Sequence, residues 1–199
     1  WKNLKGNLKQ DWKKTPNGKP FFIIRNYAES HESRAFPNNK PVQTDPATMT
    51  LHAYHPDLPE IRQSYARYSD AVAKMDKNIG DNIKWLKKTG QYENTIIIYS
   101  SDHGGVMPRS KRFMYNSGTH CPLVIRIPEK YKHLWPAEKP GSTVDRLVSF
   151  VDMPKTWLSL AGAKIPESYQ GTIFLGKNTE PEPAHHFAYR GRADECLDM

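Results

Sequence analysis

The sequence predicts an α/β fold in which helices flank a parallel sheet. Two observations support it: several short, continuous apolar runs of the kind found in strands covered on both faces, and a long helical pattern between two of these runs. Strand, long helix and strand in succession is the pattern of a parallel α/β sheet. With 199 residues, 37% of them hydrophobic, the chain can bury a core as one domain or as part of a larger one.

The first predicted strand is "PFFIIRNY", which follows a polar, lysine-rich surface connection over residues 1–20. The strand ends in a cluster of ionisable side chains that contains His31 and Glu32. Residues 35–60 are rich in proline and are predicted to form a long loop. A loop of that length in a compact domain is usually functional.

An amphipathic helix is predicted from Ile61 to Thr89 and Gly90, because apolar residues recur at intervals of three and four. The helical stripe consists of Ile61, Tyr65, Tyr68, Val72, Met75, Ile79, Ile83 and Leu86. The lysines of this helix are predicted to form a solvated face, which is commoner than a nucleic-acid-binding surface.

Two further strands and a short helix complete the predicted elements. The strands are "NTIIIYSSDHG" and "CPLVIRIP", and the helix is "MPKTWLSLAG". Asp152 is predicted to cap this helix, with Pro154 in its first turn and Gly162 at its end.

Charge and cysteine content limit the classes of function. Lys and Arg number 29 against 21 Asp and Glu, and the net charge of +8 favours an anionic partner such as nucleic acid, acidic polysaccharide or a sulfated or phosphorylated small molecule. Cys121 and Cys196 have no zinc-type or disulfide-framework spacing. No apolar run of about 18 residues occurs, so a membrane-spanning helix is not predicted.

Ionisable residues follow two of the predicted strands, and ligands of open α/β sheets bind beyond the carboxyl ends of strands. Asp102 can neutralise a bound cation, and the adjacent His103 can add a nitrogen ligand. Lys111 supplies a mobile positive charge suited to an oxyanion, and Gly104 with Gly105 is expected to let the backbone turn sharply without a side chain in the way. An isolated Asp-His pair is more often a turn cap beside an ordinary polar residue.

The pair is not isolated, because five segments together resemble the type I sulfatases of the alkaline phosphatase superfamily. These are "YARYSDAVAKMDKNIGDNIKWLKKTGQYE", "NTIIIYSSDHG", "KRFMYNSGTHCPLVIRIP", "RLVSFVDMPKTWLSLAGAKIPESYQGTIFLG" and "YRGRADE". The likeness covers most of residues 20–176. It implies an alkaline phosphatase-like α/β/α sandwich over residues 21–176, with residues 177–199 starting the C-terminal region.

The resemblance also implies roles for individual residues. Asp102 and His103 match the positions that bind the divalent metal ion of the family, usually Ca²⁺. Lys111, four residues before Tyr115, matches the lysine that contacts the sulfate. His31 matches a histidine that contacts the sulfate and takes part in proton transfer.

His120 and Arg109 are further candidates for contact with the substrate. His120 stands where many family members have an Arg or His near the pocket. Arg109 precedes Lys111 in the basic segment "MPRSKR", which is expected to shape the leaving-group pocket together with the loop of residues 35–60.

One departure from the family pattern limits what this chain is expected to do. The family's nucleophile is a formylglycine made from the Cys or Ser of a Cys/Ser-x-Pro-x-Arg motif, and no such motif occurs: proline follows Cys121 directly, and no proline separates Ser33 from Arg34. We therefore expect an incomplete catalytic domain that lacks its N-terminal, nucleophile-bearing part and is inactive alone. The formylglycine is expected outside this chain, in an intact protein that is exported or periplasmic.

The implied activity of the intact protein is hydrolysis of a sulfuric ester, with a sulfated small molecule or carbohydrate as substrate. One alternative is a metal-dependent phosphodiesterase or phosphonate hydrolase of the same superfamily, because the nitrogen of His103 suits zinc-like or manganese-like ions better than calcium. The other is a non-catalytic basic module that binds glycans or nucleic acid. That module would need basic residues interleaved with aromatics on one surface, whereas here they are dispersed, so no nucleic-acid partner is expected.

Overall fold

The structure, a computed structural model, describes residues 20–36 and 41–188. We number the helices α1 (Glu32–Ala35), α2 (Pro59–Lys88), α3 (Asn116–Thr119) and α4 (Asp152–Leu160), and the strands β1 (Ile97–Ser100) and β2 (Leu123–Arg126). Short 3₁₀ turns lie at Pro46–Thr48, Tyr92–Asn94 and Glu129–Leu134. Residues 1–19 of the predicted surface connection, the segment "YRGRADE" and Cys196 lie outside the described residues.

The predicted amphipathic helix is confirmed as α2. It begins at Pro59, where a proline costs no hydrogen bond, and Gly90 follows its end with a φ of 71°. Ala66, Met75 and Leu86 are its buried residues. The lysines of the opposite face are exposed, as predicted: Lys74, Lys77, Lys84, Lys87 and Lys88.

The two strands exist, but their predicted parallel arrangement is wrong. β1 and β2 pair antiparallel, with Ile97 opposite Arg126 and Ser100 opposite Leu123. The connection between them contains only the four-residue α3, so it reverses the chain without the long crossover that a parallel pair requires.

The strand predicted at "PFFIIRNY" is also absent from the described structure. Residues 20–27 make no strand pairing, and the side chains of Phe22 and Ile24 are 51% and 69% exposed. The segment runs along α2 instead, where Asn82 accepts a hydrogen bond from Arg25 at 2.5 Å and donates one to the hydroxyl of Tyr27. An apolar run forms a strand only where a neighbouring backbone offers it hydrogen bonds.

The described part of the proline-rich loop before α2, residues 41–58, is irregular apart from one 3₁₀ turn, and two charged side chains tie it to α2. Arg62 forms a bidentate pair with Asp57 and also donates to carbonyl oxygens of residues 46–49. Asp70 accepts hydrogen bonds from the backbone N–H and the hydroxyl of Thr44. The loop therefore has a fixed position beside the helix.

The last helix and the chain after it form a small packed unit, which we call the C-terminal unit (α4 with residues 171–182). Pro154 lies in the first turn of α4 and Gly162 follows its end with a φ of 64°, as predicted. Thr156, Phe174 and Leu175 are buried, and the ring of Trp157 meets Phe174 edge-on.

Asp152 does not cap α4, contrary to the prediction. It is the first residue of the helix, its side chain is buried, and its carboxylate accepts the backbone N–H groups of Ser149 and Thr172, both at 2.7 Å. A buried carboxylate needs hydrogen-bond donors, and Asp152 finds them in two segments of the chain. None of the described helices is both long and apolar enough to cross a membrane.

Candidate active site

His31 and Lys111 are far apart in sequence and meet in the structure. His31 is the N-cap of α1, and its Nδ1 accepts the backbone N–H of Ser33 at 3.2 Å, so the proton of the neutral ring is assigned to Nε2. That Nε2 atom lies 3.5 Å from the ammonium nitrogen of Lys111, whose side chain is only 18% exposed. Two hydrogen-bond donors thus face the same space.

Glu32 is the carboxylate that accompanies this pair. Its Oε1 lies 3.5 Å from the Lys111 ammonium and 3.2 Å from the guanidinium of Arg112. Partial desolvation raises the pKa of Glu32, but the positive charges of Lys111 and Arg112 outweigh it and hold the pKa below its usual range. Glu32 therefore stays ionised and balances part of the positive charge.

Lys111 lies in an irregular segment of bends and turns that we call the Lys111 loop (residues 102–120). The backbone N–H of Lys111 donates to the carbonyl of Gly105 at 2.9 Å. Arg109 and Arg112, on either side, have φ angles of 64° and 75°, in the left-handed region that residues other than glycine rarely adopt. Such a conformation costs about 1–3 kcal/mol per residue and persists where the surroundings enforce it, often at functional sites.

Two positions in the loop must be glycine, because a side chain there would clash with neighbouring backbone. A Cβ on Gly104 would lie 1.8 Å from the carbonyl oxygen of Ser117, and one on Gly118 would lie 2.3 Å from that of Ser110. The N–H of Gly104 donates to the carbonyl of Gly118 at 2.9 Å. The prediction that a glycine at 104 keeps a side chain out of the way is therefore confirmed, because a close approach of two backbones excludes a side chain there.

Asp102 and His103 follow β1 by two and three residues. The Asp102 side chain is 88% exposed, and its Oδ1 lies 3.7 Å from the Nε2 of His103. The Nδ1 of His103 lies 2.6 Å from the carbonyl oxygen of Gly104, to which it donates, so its Nε2 carries the free lone pair. One carboxylate and one ring nitrogen are thus available to a cation.

These two residues fit part of a metal site. A calcium ion takes six to eight oxygen ligands, and even zinc needs about four ligands. Within residues 20–36 and 41–188, no group of three or more His, Cys, Asp and Glu side chains is placed to hold a metal ion. Asp102 and His103 would therefore supply two members of a larger ligand set.

The four main candidates form two pairs in the described part of the chain. His31 meets Lys111, and Asp102 meets His103, but no side-chain hydrogen bond or ion pair joins one pair to the other there. The connection is through the backbone, because the N–H of Lys111 binds Gly105, two residues after His103.

The two further candidates differ. His120 ends α3, where its N–H donates to Asn116, and its exposed side chain makes no hydrogen bond within the described residues. Arg109 lies with its guanidinium carbon 4.6 Å from the ring centre of Tyr54 and 4.1 Å from that of Tyr115. Tyr54 was not among the predicted site residues, and its only sequence signal is the aromatic and histidine cluster "HAYH" in the long loop.

Cys121 is not an activated nucleophile. Desolvation raises the pKa of its thiol, and the negative charge of Asp102 raises it further. Nucleophilic cysteines require the opposite shift, which a positive environment produces. The thiol is therefore protonated at neutral pH.

Comparison with known proteins identifies the family. The model of the sulfatase family matches residues 3–163. The ulvan-active sulfatase of Formosa agariphila is 28% identical over 94% of this chain and 36% of its own length. The N-acetylglucosamine-6-O-sulfatase of Bacteroides thetaiotaomicron is 39% identical over 55% of this chain and 19% of its own. Arylsulfatase K of Homo sapiens is 31% identical over 64% of this chain and 23% of its own.

The chain thus spans about a third or less of the length of these relatives. The family model covers most of the chain, including α2, both strands and every candidate site residue. The family implies an alkaline phosphatase-like α/β fold, in keeping with the mixed helix and sheet described above. The chain belongs to the type I sulfatases of the alkaline phosphatase superfamily.

Proposed function

We propose that this chain is the C-terminal part of the catalytic domain of a sulfuric ester hydrolase that acts on a sulfated carbohydrate. The observation that carries the proposal is the pair of donors formed by His31 Nε2 and Lys111 Nζ, 3.5 Å apart. Two donors cannot bond to each other, so an acceptor oxygen shared between them satisfies both. A sulfate group offers such oxygens.

The roles of the two residues follow from their chemistry. Lys111 stabilises the negative charge of the sulfate oxygens, the kind of preorganised electrostatic contact that typically contributes about 3–4 kcal/mol to a reaction barrier. His31 holds a proton on Nε2 beside the same oxygens, so it can donate it to the leaving oxygen of the ester. Glu32 holds the Lys111 ammonium in place.

A divalent cation, calcium in our proposal, would be held by Asp102 and His103 together with ligands outside this chain. Such an ion would neutralise charge on the sulfate oxygens. The formylglycine nucleophile is also proposed to lie outside this chain, because no Cys/Ser-x-Pro-x-Arg sequence occurs between residues 1 and 199.

Two facts support a carbohydrate substrate. Two of the relatives are named for sulfatase activity on ulvan and on N-acetylglucosamine-6-O-sulfate groups. The net charge of +8 suits a polymer or oligomer with several negative groups. We propose an exported or periplasmic intact protein, where such polymers would be encountered.

One observation favours a second candidate, hydrolysis of phosphate diesters or phosphonates. The lone pair of His103 Nε2 faces the carboxylate of Asp102, and a nitrogen ligand suits zinc-like ions better than calcium. Paired assays with an aryl sulfate and the matching aryl phosphate diester separate the two candidates.

The test of the proposed function is turnover by two proteins: the 199-residue chain, and a longer protein that includes the sequence preceding it. With calcium present, we expect no turnover of an aryl sulfate or a sulfated sugar by the short chain. The longer protein should be active, and Lys111→Ala should lower its kcat by about 10²–10³-fold. Lys132→Gln, at an exposed lysine, is the control.

Two results would contradict the proposal. Turnover by the short chain would show that the nucleophile is within it, and indifference of the longer protein to Lys111→Ala would remove Lys111 from the active site. Faster turnover of the phosphate diester than of the sulfate would favour the second candidate.

A further inference from the structure

Arg109 forms an exposed cluster with two tyrosines, beside the Lys111 site. Its guanidinium lies against the rings of Tyr54 and Tyr115, with 4.6 Å and 4.1 Å between the guanidinium carbon and the ring centres. Tyr54 and Tyr115 are themselves 37% and 51% exposed. The guanidinium of Arg109 is therefore a positive charge in a defined position on the surface, where a ligand can reach it.

The charge of Arg109 is not neutralised by the described chain. No carboxylate within residues 20–36 and 41–188 forms an ion pair with it, whereas Lys111 and Arg112 share Glu32. Aromatic contacts occupy the faces of a guanidinium and leave its N–H groups at the edge, where carboxylates and sulfates bind through two parallel hydrogen bonds.

The backbone that carries Arg109 is held from two sides. Its carbonyl oxygen accepts the hydroxyl of Ser117 at 2.5 Å. The preceding residue, Pro108, has its carbonyl 3.1 Å from the Nε2 of His55, whose Nδ1 lies 2.7 Å from the hydroxyl of Tyr65. This fixes the left-handed backbone at Arg109.

The same histidine fixes the loop that carries Tyr54. Nε2 of His55 donates to the carbonyl of Pro108, so Nδ1 accepts the Tyr65 hydroxyl, and that oxygen accepts the N–H of His52 at 3.1 Å. Burial raises the pKa of Tyr65, so its hydroxyl keeps the proton that it donates. Three separate segments thus position one cation between two rings.

The cluster lies close to the proposed sulfate contact. Arg109 and Lys111 are two residues apart, so their Cα atoms are separated by at most about 7 Å. A substrate that carries two anionic groups would place one at Lys111 and the second at Arg109.

We propose that Arg109, held between Tyr54 and Tyr115, is a specificity-determining subsite for a second oxyanion on the substrate, a carboxylate or an additional sulfate near the sulfate that is hydrolysed. This inference rests on the proposed function, because it takes the Lys111 site to hold the reacting sulfate. The contact binds ground state and transition state alike, so its loss should raise KM and leave kcat nearly unchanged.

The test uses Arg109→Gln in the longer protein that includes this chain. The substrates are an aryl sulfate, a sulfated disaccharide with a uronate, its carboxyl-reduced counterpart, and a disulfated disaccharide without a carboxylate. We expect kcat/KM to fall by about 10- to 100-fold for a substrate with the second anion, the loss typical of a charge-assisted contact. The aryl sulfate and the carboxyl-reduced substrate should be unaffected.

The control is Lys130→Gln, which removes the same charge from another exposed cation that contacts a ring, that of Tyr131. It should leave kcat/KM of all four substrates unchanged. Comparing the uronate with the disulfated substrate shows which oxyanion the subsite prefers. Equal losses by Arg109→Gln on all substrates, or none on any, would overturn the subsite.

A failure of the proposed function is distinguishable from a failure of the subsite. If the wild-type protein hydrolyses none of the four sulfates, the function has failed. The subsite is then judged by calorimetry with the desulfated uronate disaccharide and the disaccharide that keeps only the second sulfate. If Arg109→Gln weakens the binding of either disaccharide by tenfold or more, the subsite is retained. Unchanged affinity for both disaccharides would overturn it.

Discussion

The C-terminal unit and the Lys111 loop differ in how their charged side chains are paired. In the C-terminal unit, Glu180 accepts hydrogen bonds from Lys155 at 2.9 Å and from the N–H of Ile173 at 2.7 Å. In the Lys111 loop, Lys111 and Arg112 share the carboxylate of Glu32, and within the described residues no carboxylate forms an ion pair with Arg109. The first region uses its charges to hold chain segments together, whereas the second exposes a guanidinium that has no carboxylate partner in the described chain.

Burial explains why the two arrangements coexist. A charged group removed from water is costly unless it is paired, so the buried carboxylate of Asp152 has protein partners. The guanidinium of Arg109 and the carboxylate of Asp102 are exposed, so water solvates them at little cost until a ligand or a cation takes its place. Exposure thus lets Arg109 stay without a carboxylate partner in the described chain.

The largest expected effect comes from breaking the C-terminal unit. Asp152→Ala would leave the N–H groups of Ser149 and Thr172 without their acceptor, which should lower the free energy of unfolding by about 3–5 kcal/mol. Asp145→Ala, at an exposed aspartate, should change it by less than about 0.5 kcal/mol. Urea denaturation measures both, and equal stability of the two variants would show that Asp152 does not hold the unit together.

The next effect concerns the Lys111 loop. A methyl group on Gly104 meets the carbonyl of Ser117, so Gly104→Ala should cost about 1–3 kcal/mol of stability and weaken sulfate binding by displacing the loop. Gly80→Ala is the matched control, because nothing lies within 4 Å of its added carbon in α2. That variant should gain about 0.5–1 kcal/mol. A stable Gly104→Ala protein with unchanged sulfate affinity would refute the close approach described here.

The smallest effect is a dependence of stability on pH. The hydrogen bonds to the carboxylate of Glu180 from Ile173 and Lys155 lower its pKa, despite partial desolvation. The ionised Glu180 carboxylate therefore contributes fully to the free energy of unfolding above the unfolded-state pKa, about 4.3. This contribution is lost as the pH falls through the lower folded-state pKa. Denaturation between about pH 5 and pH 3 should show a shallower loss for Glu180→Gln than for wild type. The exposed Glu167→Gln should follow wild type, and identical slopes for all three would contradict the assignment.

Sequence reasoning succeeded where structure is determined locally. The stripe from Ile61 to Leu86 determines α2, because its period fits only a helix and one face needs burial. The direction of β2 relative to β1 depends on how residues 101–122 reverse the chain, and an apolar run carries no such information. The strand predicted at residues 20–27 fails for a similar reason. The composition of this apolar run does not show whether a neighbouring strand is present to pair with it.

The candidate site divides in the same way. Asp102, His103, Lys111 and His31 follow from the family resemblance, and the contact between His31 and Lys111 joins residues 80 positions apart. The segment of Arg109 and the long loop are expected from the sequence to shape one pocket, but the contact of Arg109 with Tyr54 itself depends on how the loop is fixed to α2. The sequence predicts that no side chain fits at Gly104, but the neighbouring backbone of Ser117 that excludes it is brought there only by the folded loop.

The central claim is that the positive charge around Lys111 is retained for a sulfate group. Calorimetric titration of inorganic sulfate into the longer protein tests it most directly, with Lys111→Ala and the exposed Lys132→Gln compared with wild type. We predict that Lys111→Ala weakens sulfate binding by about tenfold or more, whereas Lys132→Gln binds as wild type does. Equal sulfate affinity of Lys111→Ala and wild type would contradict the claim.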